Sequence, residues 1–216
     1  MRPDVAYCAS IINAGTRDEL SNEHGLAHFT EHALFKGTEH RRAYHINCRL
    51  ENLGGELNAY TTKEETAIHA TVLRRDIAKA AELIADIAFH STFPEKELVR
   101  EREVVADEIN SYKDSPADMI YDTFEDMIFE GSQLGHNILG RKTALKHYTT
   151  ERIKQFVERT HTTDQMVFAT VGNISDRRIR EIAERYFADI VASKREFERI
   201  APAPFESFEK SVSKHL

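Results

Sequence analysis

The chain of 216 residues is poor in cysteine, with two in all. Cys8 and Cys48 match no zinc-finger or redox spacing, which excludes a disulfide framework and reads as two free thiols in a reducing compartment. No apolar run approaches the roughly 18 residues needed to span a bilayer, so no membrane span is expected. Met1-Arg2-Pro3-Asp4 carries no apolar signal-peptide core, and the cytoplasm is the expected compartment. There is no dense Lys/Arg cluster, and the net charge is −7, so nucleic acid is not an expected partner. Neither G-x-S-x-G nor G-x-x-x-x-G-K occurs, which removes the usual signals of acyl-enzyme and nucleotide chemistry. Internal repeats and low-complexity tracts are absent. What remains is an ordinary globular composition, 41% hydrophobic and 30% charged, long enough for one domain with a sizeable core or two small ones.

The periodicities alternate irregularly between strand and helix. Strands are expected over 5–14, 56–61, 66–73 and 166–171, from their β-branched and apolar content and their bounding glycines or polar turns. The first begins so near the start that nothing precedes it to pair its other edge. Helices are expected over 22–35, 43–53, 76–89, 94–113, 116–129, 143–147, 150–160 and 175–187. Asp76 and Ser175 are candidate N-caps, and Pro94 and Pro116 open their helices. In the helix from Pro116, the stripe of Met119, Ile120, Phe124, Met127 and Ile128 reads as core. Lys63-Glu64-Glu65 reads as a solvated turn. The pattern fits an α+β domain over 1–200, and the polar stretch 201–216, which holds Ala201-Pro202-Ala203-Pro204, reads as a linker.

The chemistry concentrates in His28-Phe29-Thr30-Glu31-His32, an H-x-x-E-H pattern. On a helix His28 and His32 stand one turn apart on one face, and Glu31 points within about a third of a circle of both. Leu26, Phe29 and Ala33 form the opposite, apolar face. Two neutral imidazoles beside a carboxylate are what a catalytic zinc needs: nitrogen ligands, and a base for the proton of water. A third ligand is required. On the helix from Pro94, Glu101 and Glu108 fall 20° apart, on a face shared with Leu98, Val104, Val105 and Tyr112. Two carboxylates on an apolar face need a positive partner. That partner is either a metal held by the histidines or an arginine in internal salt bridges, and periodicity does not separate the two. Glu103 and Asp107 read as solvated charges.

The residues around the motif resemble a known family. Gly25 to Thr38 (GLAHFTEHALFKGT) looks like the signature of the M16 metallopeptidases, the inverzincins, which include pitrilysin, insulin-degrading enzyme and the mitochondrial processing peptidase. Ile12 to Glu19, Leu50 to Thr66, Arg100 to Pro116, Leu134 to Gly140, Met166 to Ile174 and Arg185 to Ile190 resemble further family segments, in order. The resemblance implies a mostly antiparallel sheet with helices packed on one side, the half-unit of LuxS/MPP-like metallohydrolases. It implies a zinc endopeptidase acting on peptides or small unfolded proteins. His28 and His32 match the family's nitrogen ligands, and Glu31 its general base. The family's distal glutamate lies about 76 residues after the second histidine; here 108 − 32 = 76, which matches Glu108, while Glu101 matches a supporting glutamate behind the ligands. Asn58, Ala59, Tyr60 and Thr61 match the strand edge along which substrate backbone lies.

The same resemblance marks differences. The chain corresponds to the first of two homologous halves and starts at the family's second strand. A homologous C-terminal half or partner subunit is therefore an expected partner, beside the peptide substrate. The alternative is a non-catalytic, peptide-binding or structural subunit of the same fold. His24, one turn before His28, competes as a ligand but lies about 12 Å along the axis from His32, so both cannot hold one ion; it is assigned to the surface. His40, His45, His69, His90, His136, His147, His161 and His215 show no ligand spacing and read as ordinary polar residues.

Overall fold

The computed structural model describes residues 4–204, 207 and 209–211. Four strands, β1 (Val5–Ile12), β2 (Glu56–Thr61), β3 (Thr66–Leu73) and β4 (Met166–Val171), form one antiparallel sheet in the order β2-β3-β1-β4. β1 is therefore central. It pairs with β3 from Val5↔Leu73 to Ile12↔Thr66 and with β4 from Tyr7↔Val171 to Ile12↔Met166. The expectation that its second edge lacks a partner is corrected: a strand more than 150 residues later fills it, a pairing invisible to local pattern. The first strand also ends two residues early, at Ile12.

Alternation decides which face is covered. Ala6, Cys8, Ser10 and Ile12 of β1 and Ile68, Ala70 and Val72 of β3 are buried, while Val5, Tyr7, Val167 and Val171 on the opposite face are exposed. The buried face meets α3 (Ile77–His90), whose Ile77, Leu83, Ile84 and Ile87 are buried, each contributing about 1.5–3 kcal/mol relative to exposure. α7 (Asp176–Phe187), capped by the Ser175 hydroxyl accepting from Arg178 N, packs on α3. Asp76 precedes α3 but does not cap it; its carboxylate takes Lys79 (2.8 Å) and Arg75 (3.3 Å) instead. Cys8 and Cys48 are free thiols, and burial pushes Cys8 up to about 12.

The remaining helices are α1 (Leu26–Leu34), α2 (Ala43–Glu51), α4 (Glu95–Lys113), α5 (Pro116–Ile128) and α6 (Thr150–Thr160). The stretch expected as a helix over 143–147 is a single tight turn, Leu145–His147. Along α5 no residue is buried, and Ile120 and Phe124 are 63% and 56% exposed, so its apolar stripe is not core. Periodicity marks an apolar face without saying how fully it is covered: Met119, Met127 and Ile128 are half-buried, α5 packing on α4 and the turn Gln133–Gly135, while Ile120 and Phe124 stay open. Val104 on α4 is likewise exposed, while Leu98, Val105 and Ile109 are buried. The 63–65 turn is not merely solvated: Lys63 reaches Asp122 and Glu125 on α5, and Glu64 pairs with Arg17. After α7 the described residues form no helix or strand but are tied down, Arg199 forking onto buried Asp18 and Ser193 bonding Thr163. Of the stretch read as a linker, residues 205, 206, 208 and 212–216 lie outside the described residues, as does His215.

Candidate metal centre

α1 starts at Leu26 rather than Asn22, because Gly25 takes a left-handed φ of 94° and turns the chain into the helix. A Cβ on Gly25 would stand 2.6 Å from the carbonyl oxygen of Leu139, so this N-cap position has no room for a side chain. Leu26, Phe29 and Ala33 are fully buried, Phe29 lying against the Tyr148 ring at 5.5 Å. That packing turns His28, Glu31 and His32 toward α4. The later start takes His24 off the helix, so its expected place on the ligand face does not arise; it is half-buried and lies against His136, ring centroids 3.9 Å apart. The grouping of the other histidines as ordinary polar residues is corrected at His161, which is half-buried with its Nε2 inaccessible and without a hydrogen-bond partner, burial lowering it to about 4.

Glu101 and Glu108 face α1 from α4, and they do different things. Glu101, its side chain 7% exposed, accepts a hydrogen bond from His32 Nδ1 (2.8 Å) and pairs with Lys36 Nζ (2.6 Å). Glu108, 42% exposed, sets one oxygen 3.5 Å from His28 Nε2 and the other 3.5 Å from His32 Nε2. Glu101 thus takes an internal salt bridge, to a lysine rather than an arginine, while Glu108 stands against the two histidines. Lys36 is not singled out by the sequence: it lies in the turn just past the end of α1, and only the fold brings it against Glu101.

The donor atoms of His28, His32 and Glu108 lie within 4.8 Å of one another, the one such group among the described residues. A tetrahedral metal with ligands at about 2.1 Å holds its ligand atoms about 3.4 Å apart. The 3.5 Å nitrogen–oxygen separations match that spacing and exceed a good hydrogen bond. Because a carboxylate only accepts, Glu101 keeps the His32 proton on Nδ1 and leaves the Nε2 lone pair toward Glu108. The donor set, two imidazoles and a carboxylate, fits zinc.

The electrostatics agree. Burial works to lower His32, but the bond to Glu101 and the charges of Glu31, Glu101 and Glu108 outweigh it and raise its pKa. Burial works to raise Glu101, and the bonds from His32 and Lys36 overcome it and hold the carboxyl low. Glu108 is lowered by His28 beside it, against the effect of burial. Three carboxylates around two imidazoles make a place that attracts positive charge.

Glu31 stands beside the ligands, its Oε2 accepting from Thr61 Oγ1 at 3.3 Å. Thr61 ends β2, whose other residues Asn58, Ala59 and Tyr60 lie along the open edge of the sheet. Asn58 Oδ1 accepts from Ala59 N (2.9 Å), and Tyr60 donates to Glu65 (2.9 Å). The structure thus brings the base candidate, the three ligand candidates and the strand edge to one place, with Glu101 behind His32.

A family model described as Insulinase (Peptidase family M16) matches residues 2–142, and a second, described as Peptidase M16 inactive domain, matches 147–215. The chain belongs to peptidase family M16. Among M16 relatives, an uncharacterised zinc protease of Bacillus subtilis, YmxG, is 36% identical over 181 residues, covering 84% of this chain and 44% of its own length. The human mitochondrial-processing peptidase subunit beta is 31% identical over 202 residues, covering 93% of this chain and 41% of its own. A protease from Helicobacter pylori superposes with a TM-score of 0.85 at 23% identity, over 94% of this chain and 49% of that one. The first half of the periplasmic protease PqqL from Escherichia coli gives 0.86 at 22%, over 94% and 45%. These two likenesses establish the M16 half-unit fold expected from the sequence. The chain spans about half the length of the relatives it matches. Among the described residues, no helix is long and apolar enough to cross a membrane.

Proposed function

We propose that this chain is the metal-binding half of a zinc-dependent endopeptidase that hydrolyses peptides or small unfolded proteins, completed by a homologous half or partner subunit. The observation that carries the reading is the convergence of His28 Nε2, His32 Nε2 and both oxygens of Glu108 at metal-ligand spacing, with Glu31 free to act beside them. When bound there, zinc supplies Lewis acidity and lowers the pKa of water. His28, His32 and Glu108 hold it, and Glu101 fixes the His32 ring and tautomer. Glu31 takes the proton of the attacking water and returns it to the leaving amine. Thr61 donates to Glu31 Oε2 and keeps that carboxylate facing the strand. Peptide backbone adds along the open edge of β2, at Asn58 to Thr61, where strand pairing fixes its register.

A non-catalytic peptide-binding subunit of the same fold has no need of Glu31 beside an intact ligand set, and all four residues are present. Metal analysis of the purified chain tests the reading: one zinc per chain is expected, lost in E108A. Metal-free protein of ordinary stability under zinc-replete conditions refutes it. In the completed two-half protein, E31Q is expected to keep its zinc and lose peptide hydrolysis; normal cleavage by that variant removes Glu31 as the base.

A further inference from the structure

Glu19 is a buried carboxylate that the reading above does not use. It lies just after the turn Thr16–Asp18 and reaches the start of α1. Its Oε1 accepts from Gly25 N (3.1 Å) and Ala27 N (2.8 Å), and its Oε2 from Gly25 N (3.0 Å). A helix start leaves its first N–H groups without partners inside the helix, and a side chain at the N-cap usually satisfies one of them. Here the N-cap is Gly25, which has no side chain, so the task falls to a residue six positions earlier.

Glu19 is itself held. Asp18 Oδ2 accepts from Gly15 N (2.9 Å), Arg199 forks onto Asp18 at 2.9 and 2.8 Å, and Gln133 Nε2 donates to the Glu19 carbonyl (2.6 Å). The residue that depends on this start is His28, third in α1. His32 has its Nδ1 fixed by Glu101, but His28 Nδ1 is buried with no hydrogen-bond partner. The direction of the His28 ring is set by packing and by where the helix begins.

We propose that Glu19 is a positioning residue of the metal centre: a remote N-cap that fixes the first turn of α1 and thereby aims His28 Nε2. The inference rests on the zinc reading. Both N–H groups reach the single oxygen Oε1, so a neutral acceptor suffices. Burial pushes the Glu19 carboxyl up to about 8, against the lowering by backbone bonds from Ala27 and Gly25, in keeping with a group valued for its place rather than its charge.

The test measures zinc affinity of the purified chain by competition with a chromophoric chelator, together with hydrogen exchange at the Gly25 and Ala27 amides in the metal-free protein. E19A is expected to bind zinc about 10- to 100-fold more weakly, the usual effect of removing a group behind the ligands, and to lose protection at both amides. E19Q keeps Oε1 and is expected within about threefold of wild type, under 0.7 kcal/mol. D86N, whose partners Thr38, His40 and Arg41 lie past the other end of α1 from Glu19, controls for stability alone: it is expected to lower the melting temperature without changing zinc affinity. Wild-type zinc affinity in E19A overturns the proposal, as does E19Q no better than E19A. Should E19A fail to fold, E19D decides, because its shorter reach is expected to weaken zinc where E19Q does not; E19D equal to wild type overturns it. If wild type itself holds no zinc, the zinc reading fails on its own, and amide exchange in metal-free E19A still decides whether Glu19 caps α1.

Discussion

Removing the Glu101 carboxylate separates what holds the fold from what holds the metal. In Glu101→Ala, Lys36 and the His32 Nδ1–H lose their partner together. Breaking a fully buried ion pair costs about 3–5 kcal/mol, and a fully exposed one about 0–1 kcal/mol. Glu101 is almost inaccessible but both partners are about a fifth exposed, which places the metal-free protein between those limits, at a loss of about 2–3 kcal/mol. The freed His32 ring no longer aims Nε2, and zinc affinity falls about 10- to 100-fold, or about 1.4–2.8 kcal/mol. Glu101→Gln divides the two effects. Its amide oxygen still accepts from His32, so zinc binding changes little, while Lys36 stays uncompensated and most of the stability loss remains. Urea unfolding of the metal-free variants gives the first number and chelator competition the second. If Glu101→Ala binds zinc like wild type, Glu101 does not act through His32. If the Gln variant loses as much zinc affinity as the Ala variant, the charge of Glu101 matters and its hydrogen bond does not.

Two further outcomes follow from the geometry. Gly25→Ala places a Cβ 2.6 Å from backbone in a left-handed conformation, whereas Gly54→Ala meets nothing within 4 Å at φ 71°; Gly54→Ala is expected to cost about 1–2 kcal/mol, and Gly25→Ala distinctly more with loss of zinc, by thermal unfolding and metal analysis. Asp86, buried and accepting from Thr38, His40 and Arg41, is held below the ordinary aspartate value of 3.8 by those bonds, which outweigh the raising effect of burial. Its folded value lies under its unfolded one, so its contribution is complete above that ordinary value and is lost as pH falls through the depressed folded value. The stability gap between wild type and D86N, followed by urea unfolding against pH, is expected to close on the acid side and stay constant near neutrality.

Much of the site was legible because its information is local. H-x-x-E-H specifies its own geometry once a helix is granted, and the angle between Glu101 and Glu108 needs only the helical repeat. Periodicity does not divide those two glutamates, since that depends on Lys36 and the His32 ring across the interface; the family spacing points to Glu108, which the structure sets 3.5 Å from each imidazole. Strands 56–61, 66–73 and 166–171 were read at their observed bounds because polar turns or glycine frame them. Errors arose where the deciding partner is distant. The second edge of β1 is filled by β4, the apolar stripe of α5 is only partly covered, and Lys63 finds its acids on α5. The start of α1 is Leu26 and not residue 22 because the backbone conformation at Gly25, which no residue pattern shows, turns the chain into the helix. Glu19 closes the family-like segment from Ile12, but its task is legible only in the fold, which returns it to the N-cap six residues on.

The central place of β1 also sets an order of events. Ile12 pairs with Met166 and Tyr7 with Val171, so the sheet cannot close until the chain has grown past residue 171. At about 5–20 residues per second of synthesis, that is roughly 7 to 28 s after His32 is made. Glu108 appears midway, on a helix whose far side is still without its neighbours. His28, Glu31, His32, Glu101 and Glu108 are therefore all made before the sheet can close, and the last strand to arrive is one that carries none of them.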